Sequence, residues 1–326
     1  MARVILVTGV ARSPGECLAA SLAGGAGIDR VIGIDIVPPR GSIAPADFVR
    51  ADTRGASLRR LLEAYEVDTV VHAGIVAGRD EAGGRGGQKD INVIGTMQLL
   101  AACQRAKRIT KLVVRSSIAV YGLSPRNPAL FTEDDPPRRP PASGFGKDMV
   151  EVEGYARGFA RRRPDVPVTV LRMAYLLDRD SLLARYLSLP AVPTVLGYDP
   201  RVQVLDADDA AEALRRAAVE EHPGTYNIAG AGVVTVAQAA HLAGRPTVPI
   251  PSRAIGAVSR VMRQAHVVDA GPELAGTVMH SQVVDTAKAR TEFGWTPRLS
   301  TRDALSRFVQ ERGLRPTMPT WVRSGP

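Results

Sequence analysis

Five short blocks in the first 175 residues are almost continuously apolar: "RVILVTG" (3–9), "RVIGIDI" (30–36), "DTVVHAG" (68–74), "KLVVRSS" (111–117) and "VPVTVLRM" (166–173). A strand with one face in water alternates apolar and polar side chains. These blocks do not alternate, so both faces must be covered, as in a parallel sheet. Between them lie helix-like segments such as "GECLAASLAGG" and "INVIGTMQLLAACQRA"; in the second, Ile91, Ile94, Leu99 and Cys103 follow one apolar stripe. After about residue 175 the rhythm breaks, and prolines at 190, 193, 200, 246, 249 and 251 punctuate shorter elements.

Strands alternating with crossover helices predict an α/β fold, a doubly wound parallel sheet of the Rossmann type over residues 1–175. Residues 202–228 are expected to return to it. Residues 176–201 and 229–326 are expected to form a smaller mixed C-terminal domain that binds substrate. "AGGRGGQ" (82–88) lacks the Lys-Ser/Thr of a P-loop and reads as a surface loop or lid before a helix. "PSRAIGAVSRVMRQAH" (251–266) is amphipathic and basic; a helix burying Ile255, Val258 and Met262 is favoured over a membrane-surface role.

Composition changes this picture little. The net charge of +9 raises the question of nucleic acid. However, 37 of the 42 basic residues are Arg, scattered through nearly every segment. The densest run, "RRR" at 161–163, closes a predicted helix, where cations suit the dipole. A nucleic-acid partner is therefore not expected. Cys17 and Cys103 have no metal-ligand spacing and read as reduced thiols. The opening "MARVILVTGV" is too short to span a bilayer and reads as a first strand, so a cytoplasmic, soluble protein without membrane attachment is expected.

The candidate chemistry begins at "VILVTGVARSPGECLAA". Thr8-Gly9 ends a strand, and Gly15 opens a helix six residues later. A strand–turn–helix of this kind brings backbone N–H groups and a helix N-terminus to a diphosphate. Arg12 stands where a middle glycine is usual; it either folds over the diphosphate and pairs with it, or crowds the turn. Asp35 ends the second strand, 20 residues after Gly15. A carboxylate there accepts ribose hydroxyls and repels a 2′-phosphate, which points to NAD rather than NADP.

Taken in order, "VTGVARSPG", "RADTRG", "VVHAG", "INVIGTMQLLAAC", "VVRSSIAVYG", "VQVLDADDAAEAL", "GTYNIAGAGVVTV" and "VVDTAKARTEFGWTPRLS" resemble the landmarks of extended short-chain dehydrogenase/reductases. These are the NAD-dependent epimerase/dehydratases, and the chain is most similar to their UDP-glucose 4-epimerase-like members. The resemblance covers nearly the whole length. It implies NAD contacts from Gly9, Arg12, Gly15, Asp35, Asp52, Thr53, Ala73, Gly74, Asn92 and Lys147, a small-molecule substrate, and a homodimer built on helices 88–106 and 144–163. It makes Ser117, four residues before Tyr121, the hydroxyl that bonds the reacting oxygen.

The family's base is a Tyr four residues before a Lys, one helical turn apart on one face. In "PPASGFGKDMVEVEGYARGFARRRP" the Lys is Lys147, but Ser143 stands in the Tyr position. A serine hydroxyl ionises far above the phenol's value of about 10, and Ser143 suits a helix N-cap instead. Phe145 carries no proton, Tyr155 lies about 80° around the helix at about 100° per residue, and Tyr121 belongs to another element. The 4,6-dehydratases' Thr-Asp-Glu is replaced by Ser117-Ile118-Ala119, which argues against that reaction. The epimerases' diphosphate-gripping Arg aligns with Val202, with Arg201 one position off; on a strand one residue reverses the face. Three readings stay open: an atypical NAD-dependent oxidoreductase or epimerase using Ser117 and Lys147 on a small polar, sugar-nucleotide-like substrate; a degenerate NAD-binding scaffold or sensor; and a non-redox enzyme drawing on His72, Asp148 or Glu133. No metal site is expected.

Overall fold

The computed structural model describes residues 3–55, 57–79, 82–136, 140–177, 181–264, 276 and 279–314. The N-terminal half runs β1 (Arg3–Thr8), α1 (Gly15–Leu22), β2 (Ile28–Asp35), β3 (Asp47–Arg50), α2 (Leu58–Ala64), β4 (Thr69–His72), α3 (Arg85–Lys89), a π-helical turn (Asp90–Ile94), α4 (Gly95–Arg105), β5 (Lys111–Ser117), a 3-10 turn (Ile118–Tyr121), α5 (Gly144–Arg162) and β6 (Val168–Met173). There follow β7 (Tyr175–Leu177), α6 (Leu182–Leu187), β8 (Val192–Val195), β9 (Arg201–Val202), β10 (Val204–Asp206), α7 (Ala207–Val219) and β11 (Gly224–Ile228). The chain then runs through β12 (Val234–Thr235), α8 (Val236–Leu242), β13 (Thr247–Ile250), α9 (Ser252–Gln264), α10 (Ala287–Thr291) and α11 (Thr301–Glu311).

Seven strands form one sheet in the order β11-β6-β5-β4-β1-β2-β3, and every pairing is parallel. The apolar runs are the reason. All four residues of β4 are buried, as are six of the seven of β5, so helices must cover both faces. Helices α1 and α7 pack together on one face, while α4 and α5 cover the other. Strand order reverses between β1 and β4, and ligands of such sheets bind beyond the carboxyl ends of the strands at that switch.

Beyond β6 the chain alternates between two cores. Helix α7 packs back onto β4, β5 and β6, and β11 adds the edge strand beside β6. A second hydrophobic cluster gathers Leu187, Val192, Val236, Ala240, Leu305 and Phe308 around α6, β8, α8 and α11. It includes residues of β7, β9 and β10, which pair in short two-stranded ladders. In α9 Ile255 is buried and Val258 half-buried; the side chain of Met262 lies outside the described residues.

Residues 82–88 depart from the loop expectation, because α3 already starts at Arg85. Two tertiary contacts overcome the poor helix propensity of the glycines. Arg85 forks onto Asp148 at 2.6 Å to each carboxylate oxygen, and Gln88 Nε2 donates to the carbonyl of Ala77 at 2.6 Å.

Candidate active site

The turn after β1 is built on close approach. Gly9 has φ +79°, and a Cβ there would lie 2.4 Å from Gly74 Cα; a Cβ at Gly15 would lie 2.4 Å from the Gly9 carbonyl oxygen. Both positions therefore require glycine. Asp35 at the end of β2 is fixed by this turn: its Oδ2 accepts the Ala11 N–H at 3.1 Å and its Oδ1 that of Ile36 at 2.7 Å. Asp35 lines a pocket of about 50 Å³ together with Gly9, Arg12, Asp52, Thr53 and Gly74. Asp52 is gripped by Arg54, whose hydrogen bonds hold its carboxyl below the usual range.

Under the turn runs a buried chain of hydroxyls and one imidazole. Thr8 Oγ1 accepts the Gly74 N–H at 3.1 Å and meets His72 Nδ1 at 2.8 Å; His72 Nε2 meets Thr96 Oγ1 at 2.8 Å, and Thr96 donates to the Asn92 carbonyl. Because the Thr96 proton goes to Asn92, its oxygen must accept, so His72 carries its proton on Nε2 and receives the Thr8 hydroxyl on Nδ1. Every polar atom of the neutral ring is then used. Burial, reinforced by the charge of Arg115, pushes the His72 pKa down to about 4. His72 is a strut under the turn. The Asn92 amide is likewise committed, accepting from Val76 N–H at 2.8 Å and donating to the Val76 carbonyl at 2.9 Å. It shapes the loop after β4 rather than reaching outward. The Ala73 side chain is buried and does not line the pocket.

Arg12 joins this pocket to a larger cleft of about 430 Å³, where Ser117, Arg115, Ser143, Phe145, Tyr175 and Gln282 also line the wall. Ser117 ends β5, and its Oγ accepts the Ala119 N–H at 3.2 Å, capping the 3-10 turn. Since the oxygen is the acceptor in that contact, the hydroxyl proton can be donated elsewhere. Ser143 occupies the N-cap of α5 with extended backbone, yet its side chain caps no N–H. Lys147 is absent from the described lining; its side chain is 46% exposed and its ammonium stands 3.9 Å from Glu151. Arg201 is also absent: its guanidinium donates to the Ala129 carbonyl at 2.9 Å, and the neighbouring Val202 is buried in the second core. Asp148 is taken by Arg85, and Glu133 accepts the Asn227 N–H at 2.7 Å; neither lines the cleft.

Two cleft residues had no counterpart in the sequence reading. Tyr175, on β7, donates its hydroxyl to Gln282 Oε1 at 2.9 Å, and the Gln282 amide is anchored on the carbonyls of Ile118 and Gly122. Arg115, buried in β5, donates to the carbonyls of Ala73 at 3.2 Å and Ile75 at 3.1 Å. Tyr121, by contrast, is locked away from the cleft. Its ring stacks on Phe131 at 4.5 Å, its hydroxyl donates to Asn227 Oδ1 at 2.8 Å and receives Arg172 at 2.9 Å, and burial raises its pKa. Arg172 in turn binds Glu153, which also accepts the hydroxyl of the cleft residue Ser116. Among the described residues no cluster of three or more metal-ligating side chains occurs, and no helix is long and apolar enough to cross a membrane.

The chain is similar to the uncharacterized protein Rv0501 of Mycobacterium tuberculosis (strain ATCC 25618 / H37Rv), 41% identical over 329 residues and covering 99% of this chain and 88% of the relative. Among solved structures it is similar to MoeE5 in complex with UDP-glucuronic acid and NAD, at 24% identity and a TM-score of 0.74 over 96% of this chain and 100% of that one. It is similar also to UDP-glucose 4-epimerase of Thermotoga maritima with UDP-glucose, at 20% identity and a TM-score of 0.73, again over 96% and 100%. Residues 5–229 match the model of the NAD dependent epimerase/dehydratase family, and the chain belongs to that family.

Proposed function

We propose that this protein is an NAD-dependent enzyme that acts on a hydroxyl or keto group of a small polar substrate of the sugar-nucleotide type. The carrying observation is the continuity of the site: Arg12 lines both the pocket at Asp35, Asp52 and Thr53 and the cleft at Ser117. The residues present fit a dinucleotide. Glycine at positions 9 and 15 keeps those two points of the turn free of side chains, Asp35 is held at the pocket wall, and Arg12 supplies a cation between the two halves. MoeE5 and the Thermotoga epimerase, which share the fold, bind nucleotide sugars, and MoeE5 holds NAD.

When bound, NAD would supply hydride transfer. Asp35 would orient the ribose, and Ser117 would donate a hydrogen bond to the reacting oxygen. Phe145 and Pro141 add apolar surface to the cleft lining. Of the described lining residues, Arg12, Arg115 and Tyr175 are the titratable ones, and guanidinium groups do not release protons near neutrality. Tyr175 is therefore assigned the proton-handling role that the position of Ser143 leaves open. A second reading, an NAD-holding scaffold without turnover, is favoured by one observation, the exposure of Lys147 outside the lining.

Titration calorimetry with NADH and NAD⁺, followed by a nucleotide-sugar panel read at the nicotinamide absorbance, tests the proposal. Turnover that disappears in Tyr175→Phe and Ser117→Ala, with cofactor affinity kept, supports the enzyme. Binding of cofactor without turnover on any member supports the scaffold. Failure of a folded protein to bind either cofactor form would refute both.

A further inference from the structure

Resting on that reading, we propose that the adenine of the dinucleotide lies on the guanidinium plane of Arg54, and that Asp52 positions this plane instead of touching the base. The way Asp52 is used carries the inference. Its Oδ1 accepts the Arg54 backbone N–H at 2.8 Å and Arg54 Nε at 2.9 Å, and its Oδ2 accepts Nε at 3.0 Å and Nη2 at 2.7 Å. Two carboxylate oxygens offer about four lone-pair sites, and these four contacts fill them. Asp52 therefore keeps no acceptor for an amino group on the edge of a purine. The same contacts hold Arg54, because a fork onto a carboxylate fixes the orientation of the guanidinium. With its charge answered by Asp52, what Arg54 still offers a ligand is its flat face. It lines the Asp35 pocket, and its side chain is 37% exposed.

A second observation points to the same ligand chemistry. Ile36 follows Asp35 directly after β2, lines this pocket and is 41% exposed. Its backbone is held on both sides: the N–H donates to Asp35 Oδ1 at 2.7 Å, and the carbonyl accepts Arg50 Nε at 2.9 Å. Val76 and Ile91 add apolar surface to the same lining. A phosphate or a sugar hydroxyl gains nothing from these side chains. A flat heteroaromatic ring gains twice, by leaving water against the aliphatic surface and by stacking its π face on the guanidinium. Asp35 is the ribose acceptor of the proposed function, so the base attached to that ribose falls beside the next residue, Ile36.

Stacking reads the face of a ring, whereas a carboxylate reads its edge. Nicotinamide hypoxanthine dinucleotide separates the two, because a carbonyl oxygen replaces the 6-amino group of its purine. By titration calorimetry the wild type should bind the reduced form of this analogue about as tightly as NADH. A carboxylate bonded directly to the amino group would favour NADH about ten-fold or more; that result overturns the proposal and leaves the cofactor reading intact. Arg54→Ala should weaken both dinucleotides about ten-fold, within the range of one base stack. Arg54→Tyr, which restores a flat face without the charge, should recover most of that loss. Unchanged affinities in Arg54→Ala overturn the proposal, as does a loss in Arg54→Tyr equal to that in Arg54→Ala, the mark of a purely structural arginine. Asp52→Ala releases the plane and should weaken both dinucleotides alike; a loss confined to NADH would show that Asp52 reads the base. Should Arg54→Ala not fold, the wild-type comparison and Asp52→Ala decide by the same criteria. If neither dinucleotide binds, the cofactor reading falls, and adenosine diphosphate against inosine diphosphate decides the base site. Equal affinities for the two then support it, and a preference for the adenine compound or no binding of either overturns it.

Discussion

Glu153→Gln is the sharpest probe of what holds the cleft wall. Both partners of its ion pair with Arg172 are shielded, with side-chain exposures of 5% for Glu153 and 13% for Arg172, while a second, exposed cation, Arg157, reaches Oε2 at 3.4 Å. Oε1 accepts the Ser116 hydroxyl at 2.8 Å and Arg172 Nε at 2.9 Å, while Oε2 accepts Arg172 Nη2 at 2.9 Å. The amide is nearly isosteric but neutral, and in either orientation its NH₂ faces the guanidinium, at Nε together with the Ser116 hydroxyl or at Nη2. Breaking a buried pair by removing one charge costs about 3–5 kcal/mol, because the other charge stays buried. Arg172 keeps two acceptors, the Tyr121 hydroxyl at 2.9 Å and the Glu133 carbonyl at 3.0 Å. That places the expected loss near the low end, about 3 kcal/mol.

With an unfolding entropy of ~2.1 cal/mol/K per residue, a chain of 326 residues loses ~4–5 °C in Tm for that penalty. Thermal scans by circular dichroism read it directly. The pair is also expected to contribute little beyond what an apolar pair of equal volume would supply. The double variant Glu153→Leu/Arg172→Met should therefore lie within about 1–2 kcal/mol of wild type, well above the sum of the single losses. A Glu153→Gln Tm within 1 °C of wild type, or a double variant as unstable as that sum, would refute the reasoning.

Asp35→Ala should weaken NADH binding about ten-fold or more and leave NADPH little changed, because the lost carboxylate serves the ribose hydroxyls and repels a 2′-phosphate; equal weakening of both by calorimetry would mean that its bond to Ala11 N–H matters more. Gly9→Ala combines a positive φ with a 2.4 Å approach to Gly74 Cα, and should cost at least ~1–3 kcal/mol, read as a shift of the urea midpoint. For His72 the folded pKa is about 4 against an ordinary value of 6.5. The unfolded chain then binds the extra proton between those values, so stability rises with pH across that window. The burial penalty is absent above pH 6.5 and reaches ~3 kcal/mol below pH 4. His72→Gln should flatten the slope of unfolding free energy between pH 6.5 and 4.5 by up to ~1.4 kcal/mol per unit; identical slopes would show that His72 is not the titrating group.

What could be read in the sequence follows how local its cause is. The "KLVVRSS" block is β5 to the residue, since continuous burial of a central strand leaves an unbroken apolar run. The edge strand β3, "DFVR", carries no such run, because none of its four residues is buried. The helical start inside "AGGRGGQ" was hidden for the opposite reason: its glycines argue against a helix, and the Arg85–Asp148 fork, 63 residues apart, overrides them. The turn at Gly9 and the acid at Asp35 were legible because strand–turn–helix spacing is itself the geometry. Arg115 had a signal that went unused, a charged residue within a strand otherwise read as covered on both faces. Tyr175 had none. It lies two residues beyond β6, and only the placement of Gln282, 107 residues away, brings its hydroxyl to the cleft wall.

The same placement bears on how a phenol could act there without the lysine one helical turn from Ser143. The proton of Tyr175 rests on Gln282 Oε1, and an amide oxygen is too weak a base to remove it. The Gln282 NH₂ cannot turn toward Tyr175 without abandoning the carbonyls of Ile118 and Gly122. In the proposed role Tyr175 would therefore pass its proton to a base other than Gln282, and a phenolate there needs a cation. In the arrangement of the family that cation is a lysine on the helix, but here Lys147 stands exposed beside Glu151. The guanidinium groups of Arg12 and Arg115 line the same cleft as Tyr175. The sheet and the first turn can thus supply the charge that the helix does not. Turnover in Arg115→Met should then fall while cofactor affinity is kept. Unchanged turnover in a folded Arg115→Met variant would refute that role.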